Sequence, residues 1–146
     1  MANFKRTLLA DDDKAIIHTE ALGDNTGQFS SGDVGMAVKL SANSYVPCIL
    51  DDEIGGFVQS VNASTSGGYS VGAVKKSHRV AAKVGSLVLA TNLAVGKLVV
   101  ADAQPAFGAG DGYARVKEGT PTTHKWQVVA VETDGSVGDI VLLDRV

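Results

Sequence analysis

The sequence is poor in several things that would otherwise suggest a function. It has one cysteine, Cys48, so no intramolecular disulfide can form and no oxidising compartment is implied. No apolar run approaches the roughly 18 residues of a membrane-spanning helix. Near the N-terminus, Thr7-Leu8-Leu9-Ala10 is too short for the apolar region of a secretory signal, so manufacture in the cytoplasm is expected. Positive charge is not in surplus: the net charge is −3, which leaves little to neutralise phosphates and argues against a nucleic-acid partner. The local run Lys75-Lys76-Ser77-His78-Arg79 reads as a solvated edge. Aromatic residues are only 5% of the chain, too few for a platform on which sugars stack.

Catalytic and metal-binding signatures are equally thin. His18, His78 and His124 lie far apart in the chain, with no ligand-spaced neighbours. Asp11-Asp12-Asp13 and Asp51-Asp52-Glu53 lack the alternation and glycine of a calcium loop, and read as solvated or partner-facing acidic loops. Asp13-Lys14-Ala15 matches a lipoyl-carrier tripeptide, but with too few residues ahead of it for the flanking strands that a lipoyl hairpin has. Gly108-Ala109-Gly110-Asp111-Gly112 lacks the strand-before, helix-after context of a phosphate loop and reads as a hairpin tip. Asn62-Ala63-Ser64 is a formal sequon without a secretory signal and reads as loop. Neither a serine elbow nor a reactive-cysteine pattern is present. The expectation is a protein without cofactor or metal, and not an enzyme.

What the chain does have is 45% hydrophobic residues in short runs, punctuated by 17 glycines. At 146 residues it can bury a single core. Residues 1–31 are polar and irregular, whereas residues 32–146 alternate short apolar runs with turn signals every 8–15 residues or so, the spacing of a sandwich or barrel. Strands are expected within 34–40, 45–50, 57–61, 69–74, 79–84, 86–90, 97–101, 113–117, 126–132 and 140–143. Val34, Met36, Val38 and Leu40 should share a face, and Pro47 should mark an edge or a bulge. Trp126 should anchor the core. Three strands follow Gly-Asp pairs, Gly32-Asp33, Gly110-Asp111 and Gly138-Asp139. Glycine reaches positive φ cheaply and aspartate bonds nearby backbone, so these carboxylates read as turn formers. Asp13–Leu22 is the one helix candidate, capped by Asp13 and ended by Gly23, though its β-branched Ile16, Ile17 and Thr19 suit an extended segment as well. A short helical turn near Leu87–Leu93 is a further option.

The fold class is therefore all-β: a compact β-barrel or β-sandwich of about 8–10 short strands (residues 32–146) behind an irregular N-terminal arm (residues 1–31).

Several phrases resemble a family of tailed-phage capsid decoration, or cement, proteins. Gly32-Asp33-Val34-Gly35-Met36-Ala37-Val38 looks like its opening strand, and Ala94-Val95-Gly96-Lys97-Leu98-Val99-Val100-Ala101-Asp102 like its central segment. Val128-Val129-Ala130-Val131 is similar to a later strand, with Val128 where the family usually has glycine, and Gly138-Asp139-Ile140-Val141-Leu142-Leu143 resembles the closing strand. The resemblance implies a protein on the outer capsid surface of a virion, often a homotrimer, that binds the major capsid protein and locks adjacent capsomers. In such a protein the arm would supply contacts through Phe4, Lys5, Arg6, Leu8, Leu9, Ile16 and Ile17; otherwise residues 1–31 are simply a first strand and a frayed tail. A phage tail or receptor-binding module and a small trimeric enzyme with an intersubunit site are the alternatives.

Overall fold

A computed structural model describes residues 17–23, 29–66 and 69–146. Ten strands account for the regular structure of these residues: β1 (Ile17–Leu22), β2 (Ala37–Ser41), β3 (Ser44–Pro47), β4 (Gly56–Ser66), β5 (Tyr69–Lys75), β6 (Val80–Val84), β7 (Leu98–Ala101), β8 (Ala114–Glu118), β9 (Trp126–Val131) and β10 (Ile140–Arg145). A single 3-10 turn, Ser31–Asp33, precedes β2. The all-β class is as the sequence indicates, and its form is a pair of closed barrels.

The first barrel runs β1-β3-β2-β4-β5 and closes where β5 returns antiparallel to β1, from Ile17↔Lys75 to Leu22↔Ser70. The second runs β10-β6-β8-β7-β9 and closes where β9 meets β10 antiparallel, with a register shift between Leu142 and Leu143. Each ring contains one parallel pair, β1 with β3 and β6 with β8. Closure gives every described strand a neighbour on both sides, although the β1–β3 seam is a single pair, Leu22↔Tyr45.

Period-2 alternation fills the second barrel. Val80, Ala82 and Val84 of β6, Val99 and Ala101 of β7, Ala114 and Val116 of β8, Trp126 and Val128 of β9, and Val141 and Leu143 of β10 form one buried cluster. A smaller cluster fills the first: Leu22, Phe29, Met36, Val38, Tyr45, Val58 and Val74. Ala37 and Phe57 lie opposite each other across β2 and β4 and point the other way, into the second core. Cys48 and Ile54, on the segment between β3 and β4, join them there. The two barrels thus share apolar contacts instead of merely abutting.

Five local expectations are corrected. The helix option over Asp13–Leu22 gives way to β1 for residues 17–22, because pairing with β5 satisfies its backbone; Asp13–Ile16 lie outside the described residues. Ser86–Ala90 is not a strand: Leu89 (φ 54°) and Ala90 (φ 55°) are both left-handed and reverse the chain between Val88 and Thr91. The same reversal replaces the helical turn considered near Leu87–Leu93. Asn62-Ala63-Ser64 lies within β4, not in a loop. Leu40 does not share the burial of Met36 and Val38, and sits exposed near the end of β2. Within the leader, residues 17–22 are a barrel strand, and buried Phe29 accepts the Ser70 hydroxyl through its carbonyl at 3.2 Å.

Candidate functional site

The Gly-Asp turns show what the acidic residues do. Asp33 accepts the Ser30 backbone N–H (2.8 Å) and hydroxyl (3.3 Å) on Oδ2, and the Gly108 N–H (2.8 Å) on Oδ1. Asp139 Oδ2 alone takes three backbone N–H groups, those of Thr133 (3.1 Å), Asp134 (3.0 Å) and Gly135 (2.8 Å). Burial works against its ionisation, but the N–H groups of Gly135, Thr133, Ile140 and Asp134 outweigh it and hold the carboxyl below its usual range. Asp111 is more than a turn former. It accepts from Lys83 Nζ (2.5 Å) and from both Arg115 terminal nitrogens (3.1 Å each), as well as the Tyr113 N–H (3.3 Å). Burial opposes its charge too, yet Arg115 and Lys83 win and its carboxyl lies far below the ordinary value.

The run Asp51-Asp52-Glu53 is committed in the same way. Asp51 pairs with Lys117, and Asp52 with Lys39 (2.7 Å) and the Ile49 N–H (2.8 Å). Glu53 Oε1 accepts the backbone N–H groups of Thr122, Thr123 (2.7 Å) and His124 (3.4 Å), and these, led by Thr123, lower its carboxyl. Such carboxylates fasten loops to barrels; each is satisfied by donors that are not a substrate. Asp11-Asp12-Asp13 lies outside the described residues.

The glycine-rich 108–112 stretch is no free tip. A Cβ on Gly35 (φ 96°) would stand 2.2 Å from the Gly112 carbonyl oxygen, so these two loops, one from each barrel, touch backbone to backbone. Cys48 is equally committed to structure. It is buried in the second core, and burial, with Asp52 nearby, pushes its thiol up to about 12, where it stays protonated and unreactive. Trp126 is fully buried; its indole N–H donates to the Ile54 carbonyl (3.0 Å) and its ring meets Phe57 edge-on at 4.9 Å. It is a core anchor, as its sequence context suggests.

The surface carries one concentrated apolar feature among the described residues. Pro47 ends β3, and the chain beyond it presents Ile49 (65% exposed) and Leu50 (53%) to solvent. Beside them a groove of about 290 Å3 runs between Pro47, Pro105, Ala106 and Phe107. Its Phe107 wall is fixed, because that ring packs edge-on against buried Phe29 at 5.0 Å. A second apolar point, Leu89 (93% exposed), projects from the left-handed turn. Ile49 and Leu50, expected in a strand over 45–50, lie beyond the end of β3; the signal for their exposure is Pro47, which stops the ladder just before them.

Of the arm residues assigned a contact role, Phe4, Lys5, Arg6, Leu8, Leu9 and Ile16 lie outside the described residues. Ile17 begins β1, its backbone paired in register with Lys75. Ile17 is not among the described residues that line the Ile49–Phe107 groove. No family model, curated protein or solved structure matches this chain.

Proposed function

We propose that this chain is a non-catalytic structural protein that binds the outer surface of a phage capsid and stabilises the head, as a trimer bridging neighbouring capsomers. The sequence resemblance to decoration proteins supplies the partner, the major capsid protein. The observation that supports a binding role is the apolar ledge of Ile49, Leu50 and Phe107 on a body whose loops are pinned by the carboxylates of buried Asp33 and half-buried Asp139. A docking surface held rigid before contact loses little conformational entropy on binding, so more of the contact energy appears as affinity. The ledge is apolar, and the charged Asp51 and Asp52 follow it directly in the chain, in keeping with the apolar-core, polar-rim pattern of a protein interface. In this reading residues 1–16, with Phe4, Leu8 and Leu9, add a second contact with the capsid.

The test is to mix purified protein with undecorated heads and measure occupancy by sedimentation. Wild-type protein should saturate the heads, and Leu50→Asp should weaken binding by about tenfold or more while leaving the fold intact. Absence of wild-type binding at saturating concentration would sink the reading, and equal binding by the variant would remove the ledge from it. Removing residues 1–16 spares β1 and isolates the contribution of the arm.

A further inference from the structure

The seam between the two barrels holds a pocket of about 320 Å3 that the reading above does not use. Lys39 and Tyr45 reach it from the first barrel, His124 and Arg145 from the second, and Lys76 from the stretch that joins them. Pockets at the junction of two structural units are common sites for small ligands.

The cations here are not equivalent. Lys39 pairs with Asp52 at 2.7 Å, and Lys76 pairs with Glu20 while lying 5.1 Å from the centre of the Tyr45 ring. Each ammonium group is thus paired with a carboxylate. Arg145 has none. Its Nη1 donates to the Lys76 carbonyl (3.1 Å), its Nη2 lies 2.9 Å from His124 Nδ1, and its guanidinium carbon stands 5.7 Å from the centre of the Trp126 ring. These partners are all uncharged acceptors or a π-face. They fix the plane of the guanidinium without neutralising it. The other two described arginines differ: Arg115 meets Asp111 at 3.1 Å and Arg79 meets Asp144 at 3.7 Å.

A guanidinium carries five N–H donors in a rigid fork that matches an oxyanion with two oxygens. Among the cations that line this cavity, partly buried Arg145 is the one whose described partners include no carboxylate, and two lysines stand beside it. Partial desolvation raises the value of an incoming negative charge there. Glu53, close to His124, keeps its negative charge, because the Thr122–His124 amides on its Oε1 carry none, but it does not line the pocket.

We propose that this seam pocket is a binding site for an oxyanion, a carboxylate or phosphate group, clasped by Arg145 with Lys76 and Lys39 alongside. The group can arrive as a free small anion or on a partner protein's acidic side chain; the chemistry of recognition is the same. The inference is independent of the capsid reading.

Titration of 15N-labelled full-length protein with inorganic phosphate, and separately with acetate, tests it at constant ionic strength. The expected result is saturable shifts at the Arg145 side-chain N–H, the Trp126 indole N–H and the Lys76 amide. Arg145→Gln should weaken binding by about tenfold or more, since it removes a charge-assisted fork. Lys39→Gln, a substitution outside both cores, should weaken it several-fold and serves if Arg145→Gln does not fold. A small anion that binds measurably points to a free ligand. If neither does, a short Asp/Glu peptide is titrated in the same way, and saturable shifts with it alone point to a partner's side chain. Shifts that never saturate with any of the three, or that persist unchanged in Arg145→Gln or Lys39→Gln, overturn the proposal.

Discussion

Replacing Trp126 with phenylalanine tests whether the two barrels are one cooperative body. Trp126 belongs to β9 in the second barrel, yet it donates to Ile54, on the segment that leaves the first barrel, and packs on Phe57 of β4. Trp126→Phe keeps an aromatic ring but loses the indole N–H and part of the ring. The Ile54 carbonyl is then left buried without that donor, at a cost of about 1–3 kcal/mol. A residual cavity of roughly 40 Å3, at about 24 cal/mol per Å3, adds about 1 kcal/mol. The sum is about 2–4 kcal/mol. For a chain of this length each kcal/mol lowers the melting temperature by roughly 2–4 °C, so a fall of roughly 5–15 °C is expected. Thermal melting by far-ultraviolet circular dichroism measures it, with tyrosine fluorescence as a second probe because the only tryptophan is gone. Both probes should report the same single transition, moved as a whole. A fall of less than about 2 °C, or a shift in only one of two separate transitions, would refute the argument that the seam joins the barrels energetically.

Two further substitutions probe the ladder and the loops. A Cβ at Gly72 would lie 2.1 Å from the Ser60 carbonyl oxygen and 2.7 Å from Leu22 Cδ1, so Gly72→Ala should cost about 1–3 kcal/mol or more, read as a lower urea midpoint; an unchanged midpoint would contradict the β4–β5 register. Asp139→Asn should destabilise by up to about 1 kcal/mol at pH 7 after allowance for solvent screening, and the gap should narrow with acid. The sign follows from the depressed carboxyl: its stabilisation is complete above the unfolded value of about 3.9 and disappears as pH falls through the lower folded value. Urea curves at pH 7 and about pH 3 that show the same gap would count against the three N–H bonds as the cause.

The strands were legible where side chains alternate and turns are chemically marked. Val80, Ala82 and Val84 alternate into a core, and Gly138-Asp139 marks the start of β10, so both strands can be read locally. The reversal at Leu89 and Ala90 could not be read, because residues that disfavour positive φ occupy it, without the usual glycine or asparagine. Nor could the closure into two rings. It depends on β1 meeting β5 and on the parallel β6–β8 pair, which are settled by tertiary packing and leave no mark on either strand alone. The acidic turns were read correctly as structural, but their partners were out of reach: Asp33 bonds Gly108 across 75 positions. The seam pocket was invisible for the same reason. Lys39, Lys76, His124 and Arg145 come from four separate stretches, and Lys76 and His124 belong to runs that gave no sign of convergence.

The Gly-Asp turns and the seam are two aspects of one solution. A small barrel has a narrow interior, and its open ends must be covered by something other than water. Here each barrel helps to cover the other. Ala37 and Phe57 turn away from the first core and into the second, and the 32–35 and 108–112 loops interlock through glycines too close to admit a side chain. Asp33 then ties one loop to the other, and Gln104 links β2 of one barrel to β8 of the other, accepting the Ala37 N–H at 3.2 Å and donating to the Arg115 carbonyl at 2.7 Å. Contacts of this kind leave little freedom for rotation between the barrels. The orientation of Arg145 follows from the same fixity: its guanidinium rests on Trp126, which is locked by Ile54 and Phe57, and bonds the carbonyl of Lys76 beyond β5. The packing that closes the double barrel therefore also holds an unneutralised cation at a fixed angle in the seam, and this preorganisation is what separates an anion site from a surface arginine.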